Sequence, residues 1–548
     1  FFFNVVVISS PFAFRAMGAV SGAKSALWPW LGVLASLSVT LTVYILVRVF
    51  GTFCSTSDEA QICLEKHATL TCTVLMACLW VVGKPHSAVV ALLPVILLPL
   101  MGVGGHRYGL EHQYFNKVNF ILLGSFLLAF AIEEVGLHHR LALKLLSIVP
   151  GDPKMVLLAM MTISAFLSAF MSNTATASLM CPLATSLYEE MKEVGAQEPP
   201  CTESEESTSD DSNEMQMTRT KEPETDTRLD HLFKKIVLGV AYACTIGGVS
   251  TKTGTGTNLA FASIYGNLTG QTISFGRWIL FAFPMSLTLL VVAWMLLISF
   301  GGGLGRGLHF PTHSLRQRYE KLGSITRQEM MVAALCVLTI LGWFFRAPAW
   351  GHGYAELFPD PDDITDATVV MALTLPLFFL PGKEGPILQW HKIQGKMPMG
   401  LFLLIGAGSA ISAAFDKSGL SEEIGEEMKT AADHLPMVLF QLACMTMAAL
   451  MSQATSDVAV ANILLPITYG VALSLEVDPL LLMLPVGLAC SLPFMLVVST
   501  PPNAIAFQTG FITQRDLLCF GAPLTLCGLF VMFGFCFLIA FRVLGLDR

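Results

Sequence analysis

The sequence predicts an all-α protein that crosses a membrane many times, and three observations support this prediction. Of its 548 residues, 54% are hydrophobic and only 13% are charged, about half the charged fraction of a soluble domain. Apolar runs of about 20 residues, the length that spans a bilayer as a helix, recur along the chain. Two polar breaks interrupt these runs, one in each half. We therefore expect about eleven transmembrane helices and two hairpins too short to cross as ordinary helix pairs.

The first half begins with a segment at 1–27, in which Met17 is a candidate start, and then runs over residues 28–195. Its apolar runs predict four spans followed by a hairpin with a polar break at Ser172. The spans are expected at 28–50, 69–83, 86–103 and 119–149, and the two arms of the hairpin at 155–171 and 175–191.

An acidic segment at 196–231 follows and separates the apolar parts of the chain. It holds 11 acidic and 3 basic residues, and its Ser/Thr-rich composition lacks the apolar side chains that a packed core needs. We expect a disordered cytoplasmic linker. Since this segment alone carries a net charge equal to the −8 of the whole chain, no basic face for nucleic acid is predicted.

The second half repeats the order of the first, with residues 232–380 completing the first repeat and starting the second, and 381–548 completing the second. Its second hairpin has a polar break at Ser456. The remaining spans are expected at 231–265, 275–300, 330–345, 367–380, 399–415, 480–507 and 517–544, and the arms of the second hairpin at 437–450 and 458–475.

Basic residues in the short loops predict the orientation, because cytoplasmic loops carry an excess of Lys and Arg. The loop at 301–328 holds five basic residues, the loop at 346–366 is acidic, and the next loop is basic again. The amino end is therefore expected in the cytoplasm and the carboxyl end outside. The glycosylation sequon at Asn267 then falls outside, where the modification takes place.

Matched polar motifs mark corresponding places in the two halves. Each hairpin serine, Ser172 or Ser456, precedes a proline by 10 residues, and each half then carries a Thr-x-x-Asn pattern, at 255–258 and 500–503. The distance from serine to asparagine is 47 residues in the second half. It is 86 in the first half, or 50 once the 36-residue acidic segment is left out. The agreement predicts an internal duplication.

Polar clusters between apolar helices are what an ion site in the middle of a membrane requires. Unwound helices offer N-terminal amides to an anion and carbonyl and hydroxyl oxygens to a cation. Non-helical backbone at that depth survives where it lines a polar cavity. A single motif would indicate ordinary bonding between helices, but four in matched order indicate an ion site. The breaks are expected at Gly247-Gly248, Gly254, Gly256 and Pro501-Pro502.

Three stretches carry a resemblance to a known family: Ser-Asn-Thr-Ala-Thr at 172–176, Gly-Gly-x-x-Thr-x-Thr-Gly-Thr-x-x-Asn at 247–258 and Thr-Pro-Pro-Asn-Ala-Ile at 500–505. The chain resembles the divalent anion/sodium symporter family, which includes sodium-coupled dicarboxylate, citrate and sulfate carriers. The resemblance implies a homodimer with a scaffold domain and a transport domain that moves as an elevator. It also implies two re-entrant hairpins, related as an inverted repeat.

The resemblance further implies two sodium sites and one substrate site. The first sodium site is expected at Ser168, Ser172, Asn173 and Gly256. The second is expected at Ser452, Thr455, Asp457 and Ser499. Substrate carboxylates are expected to meet Asn173, Thr174, Thr255, Thr500 and Pro501, with Asp457 and Val458 closing the other side.

Two residues depart from the family pattern. Asp457 stands where the family usually has asparagine, and an ionised carboxylate repels an anion that an amide would bind. Lys252 stands where an apolar residue is usual. Because an uncompensated charge in a membrane costs about 2.5–3.5 kcal/mol, we hypothesise that Lys252 and Asp457 form a charge pair. The alternative is that Lys252 reaches water and Asp457 binds sodium directly.

These features predict a plasma-membrane symporter of succinate- or citrate-like anions with sodium. Three alternatives remain open: a sodium-independent or proton-linked anion exchanger, a sodium–sulfate symporter, and a non-transporting regulatory relative. An enzyme is not expected, because the sequence shows no nucleophile–base pair or metal-ligand set.

Overall fold

A computed structural model describes residues 57–82, 86–103, 109–197, 222–300, 310, 312–348, 352–432 and 435–540. The predicted first span at 28–50 and most of the acidic segment, residues 198–221, lie outside this part of the chain. All the regular secondary structure of the described residues is helical, as the composition predicted. Nine helical stretches among them are long and apolar enough to cross a membrane, which confirms the multi-pass prediction.

The α-helices that precede residue 301 in the described part of the chain are numbered α1 to α10. They are α1 (Ser57–Val82), α2 (Ser87–Val90), α3 (Leu93–Leu100), α4 (Lys117–Val135), α5 (Leu137–Ile148), α6 (Pro153–Ser168), α7 (Asn173–Gln197), α8 (Glu222–Val249), α9 (Gly256–Thr269) and α10 (Phe275–Ser299).

The later helices run in the same order after a short helix and two linking spans. They are α11 (Thr312–Lys321), α12 (Arg327–Arg346), α13 (Asp366–Thr374), α14 (Trp390–Ile393), α15 (Met399–Ser418), α16 (Leu420–Ala432), α17 (Met437–Ala454), α18 (Asp457–Ser474), α19 (Leu480–Ala489), α20 (Pro501–Gln508) and α21 (Gln514–Phe535).

The predicted span at 119–149 is wrong, because the helix stops at Gly136. This glycine has φ +77°, a left-handed conformation that ends α4, and α5 starts at the next residue. Gly419 does the same between α15 and α16, with φ +70°. The turn at Gly136 was not predicted because apolar residues resume after it in α5, which has its own apolar face. The two glycine turns are a further matched feature of the two halves.

The spans predicted at 231–265 and 480–507 are each broken in the middle, as the glycines and prolines indicated. In the first half α8 ends at Val249 and α9 begins at Gly256, and in the second half α19 ends at Ala489 and α20 begins at Pro501. The segments 250–255 and 490–500 between them, here called the first and second crossover loops, are non-helical backbone within the apolar part of the chain.

The two hairpins, α6–α7 and α17–α18, pack in a reciprocal pattern. Each packs against the first piece of the broken helix of its own half, α8 or α19. Each second arm also contacts the short second piece of the other half, so that α7 meets α20 and α18 meets α9. This exchange is what a pseudo-two-fold axis between two repeats produces. Each arm of the second hairpin has 18 residues, a length that also permits crossing, so its re-entrant character stays a prediction.

Burial separates central from peripheral helices. In the apolar window of α8, 94% of the residues are buried, whereas the figure is 22% for α12 and 33% for the window that contains α21. A helix that is apolar but largely exposed within the protein needs another apolar medium around it, and the bilayer supplies one. α8, the first piece of the broken helix of the first half, therefore lies in the protein-surrounded centre.

Candidate functional site

The tip of the first hairpin is a compact polar turn between α6 and α7. The Ser168 hydroxyl is fully buried and donates to Asn173 Oδ1 over 2.7 Å, and Ser172 Oγ accepts the backbone N–H of Ala175 over 3.2 Å. Three residues expected at the first sodium site are thus brought together. Thr174, expected to meet substrate, is exposed on the first turn of α7.

Asn173 lies against the backbone of α8. A Cβ atom at Gly248 would collide with Asn173 Oδ1 and lie 3.2 Å from its Nδ2, so only glycine leaves room for this side chain. The close approach places the amide of the first hairpin beside the end of the broken helix. Gly247 and Gly248 were expected to break α8, but they lie inside its last turn, and the break follows at Val249.

The tip of the second hairpin is built differently. Ser452 Oγ donates to Ala449 O within its own helix over 3.0 Å, and Thr455 Oγ1 donates to Trp80 O of α1 over 3.1 Å. Asp457 is the first residue of α18, and Val458 next to it is buried. Ser452 and Asp457 flank the turn, whereas the hydroxyl proton of Thr455 is bonded to α1.

The asparagines of the two Thr-x-x-Asn patterns hold the crossover loops. The Asn258 amide donates to Thr251 O over 2.7 Å and to Val249 O over 3.2 Å. The Asn503 amide donates to Pro493 O over 2.9 Å and to Leu496 O over 3.0 Å. The matched pattern in the sequence marked both residues but did not reveal this role, because the accepting groups are backbone carbonyls, whose direction a side-chain motif does not give.

Each crossover loop ends in a threonine at the N-cap position of the helix that follows. Thr255 has φ −137° and ψ 149°, Thr500 has φ −149° and ψ 146°, and neither side chain caps the helix that follows. Ser456 before α18 does not cap either. Other helices in the described chain are capped by side chains of the same types, namely Asn116, Asp152, Ser274, Thr326, Thr365 and Thr513.

A helix N-terminus whose first amides are not bonded by the hydroxyl of the N-cap residue can bind an anion. The first amides of a helix carry partial positive charge and point outward, and a bound carboxylate supplies the acceptors that a capping side chain would otherwise supply. The first two residues of α20, Pro501 and Pro502, carry no N–H and so remove two of these donors, and an anion at this N-terminus would depend more on the Thr500 hydroxyl. Pro501 itself is exposed and Thr500 is buried.

The two halves meet at this site. A Cβ at Gly256, the first residue of α9, would lie 3.1 Å from Val458 Cγ2 of the second hairpin. A residue expected at the first sodium site, Gly256, and a residue of the opposite repeat expected beside the substrate, Val458, are therefore neighbours in space. Ser499, expected at the second sodium site, lies in the second crossover loop, with its Oγ 2.7 Å from Leu496 O.

Asp457 has a buried carboxylate oxygen, Oδ1, without a hydrogen-bond partner among the described residues. An unpaired buried carboxylate is costly, whereas a bound cation compensates it. Hydroxyl, amide and carbonyl oxygens near the two tips suit a hard cation such as sodium. The described residues contain no group of three or more His, Cys, Asp or Glu that could hold a metal ion.

The hypothesised charge pair between Lys252 and Asp457 is wrong. Lys252 Nζ lies 3.0 Å from Asp366 Oδ2 and donates to Ile273 O over 2.9 Å. Arg346 binds the other oxygen of Asp366, with Nε 2.8 Å from Oδ1. Asp366 was not predicted as the partner because it ends the acidic loop at 346–366. In the structure it is the first residue of α13 and is buried.

Replacing Asp366 by asparagine is expected to lower the free energy of unfolding by about 3–5 kcal/mol, because Lys252 and Arg346 would face each other without a counter-charge. A fall in the thermal unfolding midpoint of detergent-solubilised protein measures this. Glu423→Gln, which removes a carboxylate that pairs with Lys66 at the surface, serves as the control and should change stability by about 1 kcal/mol or less. An Asp366→Asn midpoint equal to that of the control would contradict the prediction.

Asn267 of the sequon lies near the end of α9 and is exposed. Its amide donates to Gln113 Oε1 over 3.0 Å, a contact between two surface side chains that a sugar would displace. The position is accessible, as a glycosylation acceptor must be.

Comparison with known proteins places these features in a wider group. A family model described as the sodium:sulfate symporter transmembrane region matches residues 33–544. The human Na(+)/dicarboxylate cotransporter 3 is 33% identical over 520 residues, which cover 84% of this chain and 85% of that protein. The rat Na(+)/citrate cotransporter is 30% identical over 506 residues, covering 84% and 88%. The Caenorhabditis elegans sodium-dependent high-affinity dicarboxylate transporter 3 is 32% identical over 476 residues, covering 83% and 80%.

Among solved structures, the YdaH transporter of Alcanivorax borkumensis matches with a TM-score of 0.52 over 93% of this chain and 98% of that protein. Its sequence identity is 13%, so this likeness concerns the fold alone. It agrees with a helical, multi-pass architecture.

Proposed function

The chain belongs to the sodium:sulfate symporter family, and on this basis we propose that it carries di- or tricarboxylates of the succinate and citrate class across a membrane together with sodium ions. Members of this family are transporters rather than enzymes, and sodium is their co-transported ion. The carried anion and the site residues are the parts that we propose.

The observation that carries the proposal is the set of uncapped helix N-termini at Thr255, Thr500 and Ser456. A dicarboxylate has two charged ends, and the crossover loops from opposite repeats offer two matched N-termini, one for each carboxylate. A single sulfate would leave one of the two without a ligand. The relatives named for dicarboxylates and citrate support the same class.

Sodium has two roles in this proposal. One ion is bound at the first hairpin by Ser168, Ser172 and Asn173 together with Gly256. The other is bound near Asp457 by Ser452, Thr455 and the backbone at Ser499. Because cations beside the anion site neutralise substrate charge, sodium should raise the affinity for substrate.

Further parts of the proposal concern assembly and placement. We assign the protein to the plasma membrane as a homodimer, with the amino end and the acidic linker in the cytoplasm and the carboxyl end outside. Asn267 would then carry glycan on the outer side. The hairpins and the short helices α9 and α20, which contact one another across the repeats, would form the moving transport domain of an elevator together with the crossover loops.

A second candidate function is a proton-linked or sodium-independent anion exchanger. The observation that favours it is Asp457, since a buried carboxylate with an unpartnered oxygen can take up a proton instead of sodium. The sodium–sulfate symporter and the non-transporting relative are the remaining alternatives.

Uptake into vesicles separates these functions. Purified protein is reconstituted and offered radiolabelled succinate, citrate or sulfate, with and without an inward sodium gradient. We expect succinate or citrate to accumulate only with the gradient, and the KM for the anion to fall as sodium rises. Accumulation of sulfate alone would contradict the substrate class, uptake driven by a proton gradient would favour the exchanger, and no uptake would favour the non-transporting relative.

A further inference from the structure

The first crossover loop is held by contacts to several elements, and Lys252 makes the one that carries charge. Thr251 Oγ1 donates to Ala169 O of the first hairpin over 2.6 Å, and Trp278 Nε1 of α10 donates to Val249 O over 3.3 Å. Lys252 reaches instead to Ile273 O and to Asp366 at the start of α13. Both charged side chains are buried, with exposed fractions of 6% and 2%.

The second crossover loop has no equivalent of this charged contact. Gln453 of the second hairpin donates to Leu492 O over 2.8 Å and accepts the Met495 N–H over 2.9 Å. Gln514 at the start of α21 donates to Met495 O over 3.0 Å and accepts the Val497 N–H over 3.2 Å. These bonds are neutral. The ion pair is therefore a charged contact that the first crossover loop makes and the second does not.

Asp366 belongs to helices outside the hairpins and crossover loops. α13 packs against α4 and α12, and the Trp343 indole of α12 donates to Asp366 O over 2.9 Å. Arg346, also on α12, holds the carboxylate from the other side and donates to Ile364 O over 3.0 Å. Asp366 is thus fixed to α12 and α13, and Lys252 joins the substrate-facing loop to them.

We propose that the Lys252–Asp366 ion pair is an ionic lock that holds the first crossover loop against α12 and α13 in this conformation and opens during each transport cycle. The inference rests on the proposed transport function. Alternating access requires one bundle to move against the other around the binding site. Each hairpin contacts the short helix that follows the crossover loop of the other repeat, so the hairpins and crossover loops must move together, whereas the ion pair spans the boundary between them and α12–α13.

The lock can open because Asp366 also pairs with a second basic side chain, that of Arg346. When Lys252 leaves, Arg346 still compensates the carboxylate, so no buried negative charge is left without a partner. Lys252 takes its charge to a polar surface, as long basic side chains do near membrane interfaces. Neutral contacts such as Thr455 to Trp80 of α1 also join a hairpin to other helices, but each contributes less than a charged pair of this geometry.

Lys252→Met tests the lock without unbalancing Asp366, because Arg346 remains. In vesicles we expect maximal succinate uptake per protein to rise about fivefold, the lower end of couplings between two protein states, with KM changed less than about twofold. Lys252→Arg keeps the charge and should stay near the wild-type rate. Lys234→Met is the matched control, since Lys234 pairs with Asp516 between α8 and α21, and it should leave uptake unchanged. A raised KM with an unchanged maximal rate, or no change at all, would overturn the lock.

A reversible crosslink between the two positions provides a second, independent test of the lock. In the double variant Lys252→Cys and Asp366→Cys, a short bifunctional thiol reagent joins the two positions. We expect treatment to stop uptake and reduction to restore it, while treated wild type stays active. Full uptake after crosslinking would overturn the lock and leave the proposed function standing. Absence of succinate, citrate and sulfate uptake in untreated wild type would overturn both.

Discussion

Asn173→Ala is expected to abolish anion uptake while the protein still folds. Asn173 begins α7, accepts from Ser168 and lies against Gly248 at the end of the broken helix. In the proposed site its amide contributes to both the first sodium ion and a substrate carboxylate. Losing a hydrogen bond to a charged group costs up to about 3 kcal/mol, a factor of about a hundred in affinity, before the lost sodium ligand is counted.

The measurement is initial succinate uptake in vesicles, with folding checked by elution of the detergent-solubilised protein as a single species. Asn267→Ala, which removes an exposed asparagine distant in sequence from the hairpins, is the control and should transport normally. Uptake by Asn173→Ala with unchanged sodium dependence would show that the first sodium site is elsewhere.

Asp457→Asn is expected to shift the sodium dependence rather than to abolish transport. The substitution keeps the shape of the side chain and removes its negative charge at the start of α18. A sodium ion bound to this carboxylate would lose about 1.4 kcal/mol or more, so the sodium concentration for half-maximal uptake should rise about tenfold. At saturating sodium the KM for succinate should fall, because a charge that repels the anion is gone.

The check is a sodium titration of succinate uptake for Asp457→Asn and for Asp478→Asn. Asp478 is an exposed carboxylate that caps α19, and its variant should follow the wild-type curve. If Asp457→Asn instead removes a pH dependence and leaves sodium without effect, the carboxylate carries a proton and the exchanger is favoured.

The repeat and the site motifs were predictable from the sequence because both are local. The hairpin serines, the Thr-x-x-Asn patterns and the helix breaks are short runs of polar or flexible residues in an apolar background, and the structure puts the breaks at 250–255 and 490–500. The turn at Gly136 was missed although charged and polar residues flank it at 133–134 and 138–140, because apolar side chains resume in α5. The backbone conformation, φ +77°, identifies it as the end of α4.

The partner of Lys252 was not predictable from spacing. Asp366 is 114 residues away, and an aspartate at the end of an acidic loop gives no sign of burial. Asp457 was the expected partner because a pseudo-two-fold axis suggested compensation between halves. In the structure Asp366 is the partner instead, because the packing of α13 against α12 brings it to the first crossover loop. Long-range pairs of this kind depend on tertiary contacts that no motif records.

The most direct test of sodium-coupled carboxylate transport is to follow both species at once. Vesicles containing the protein are given radioactive sodium, and sodium entry is measured before and after succinate is added. We predict that succinate accelerates sodium entry in wild type and has no effect in Asn173→Ala. Accumulation of succinate without any increase in sodium entry would contradict sodium coupling.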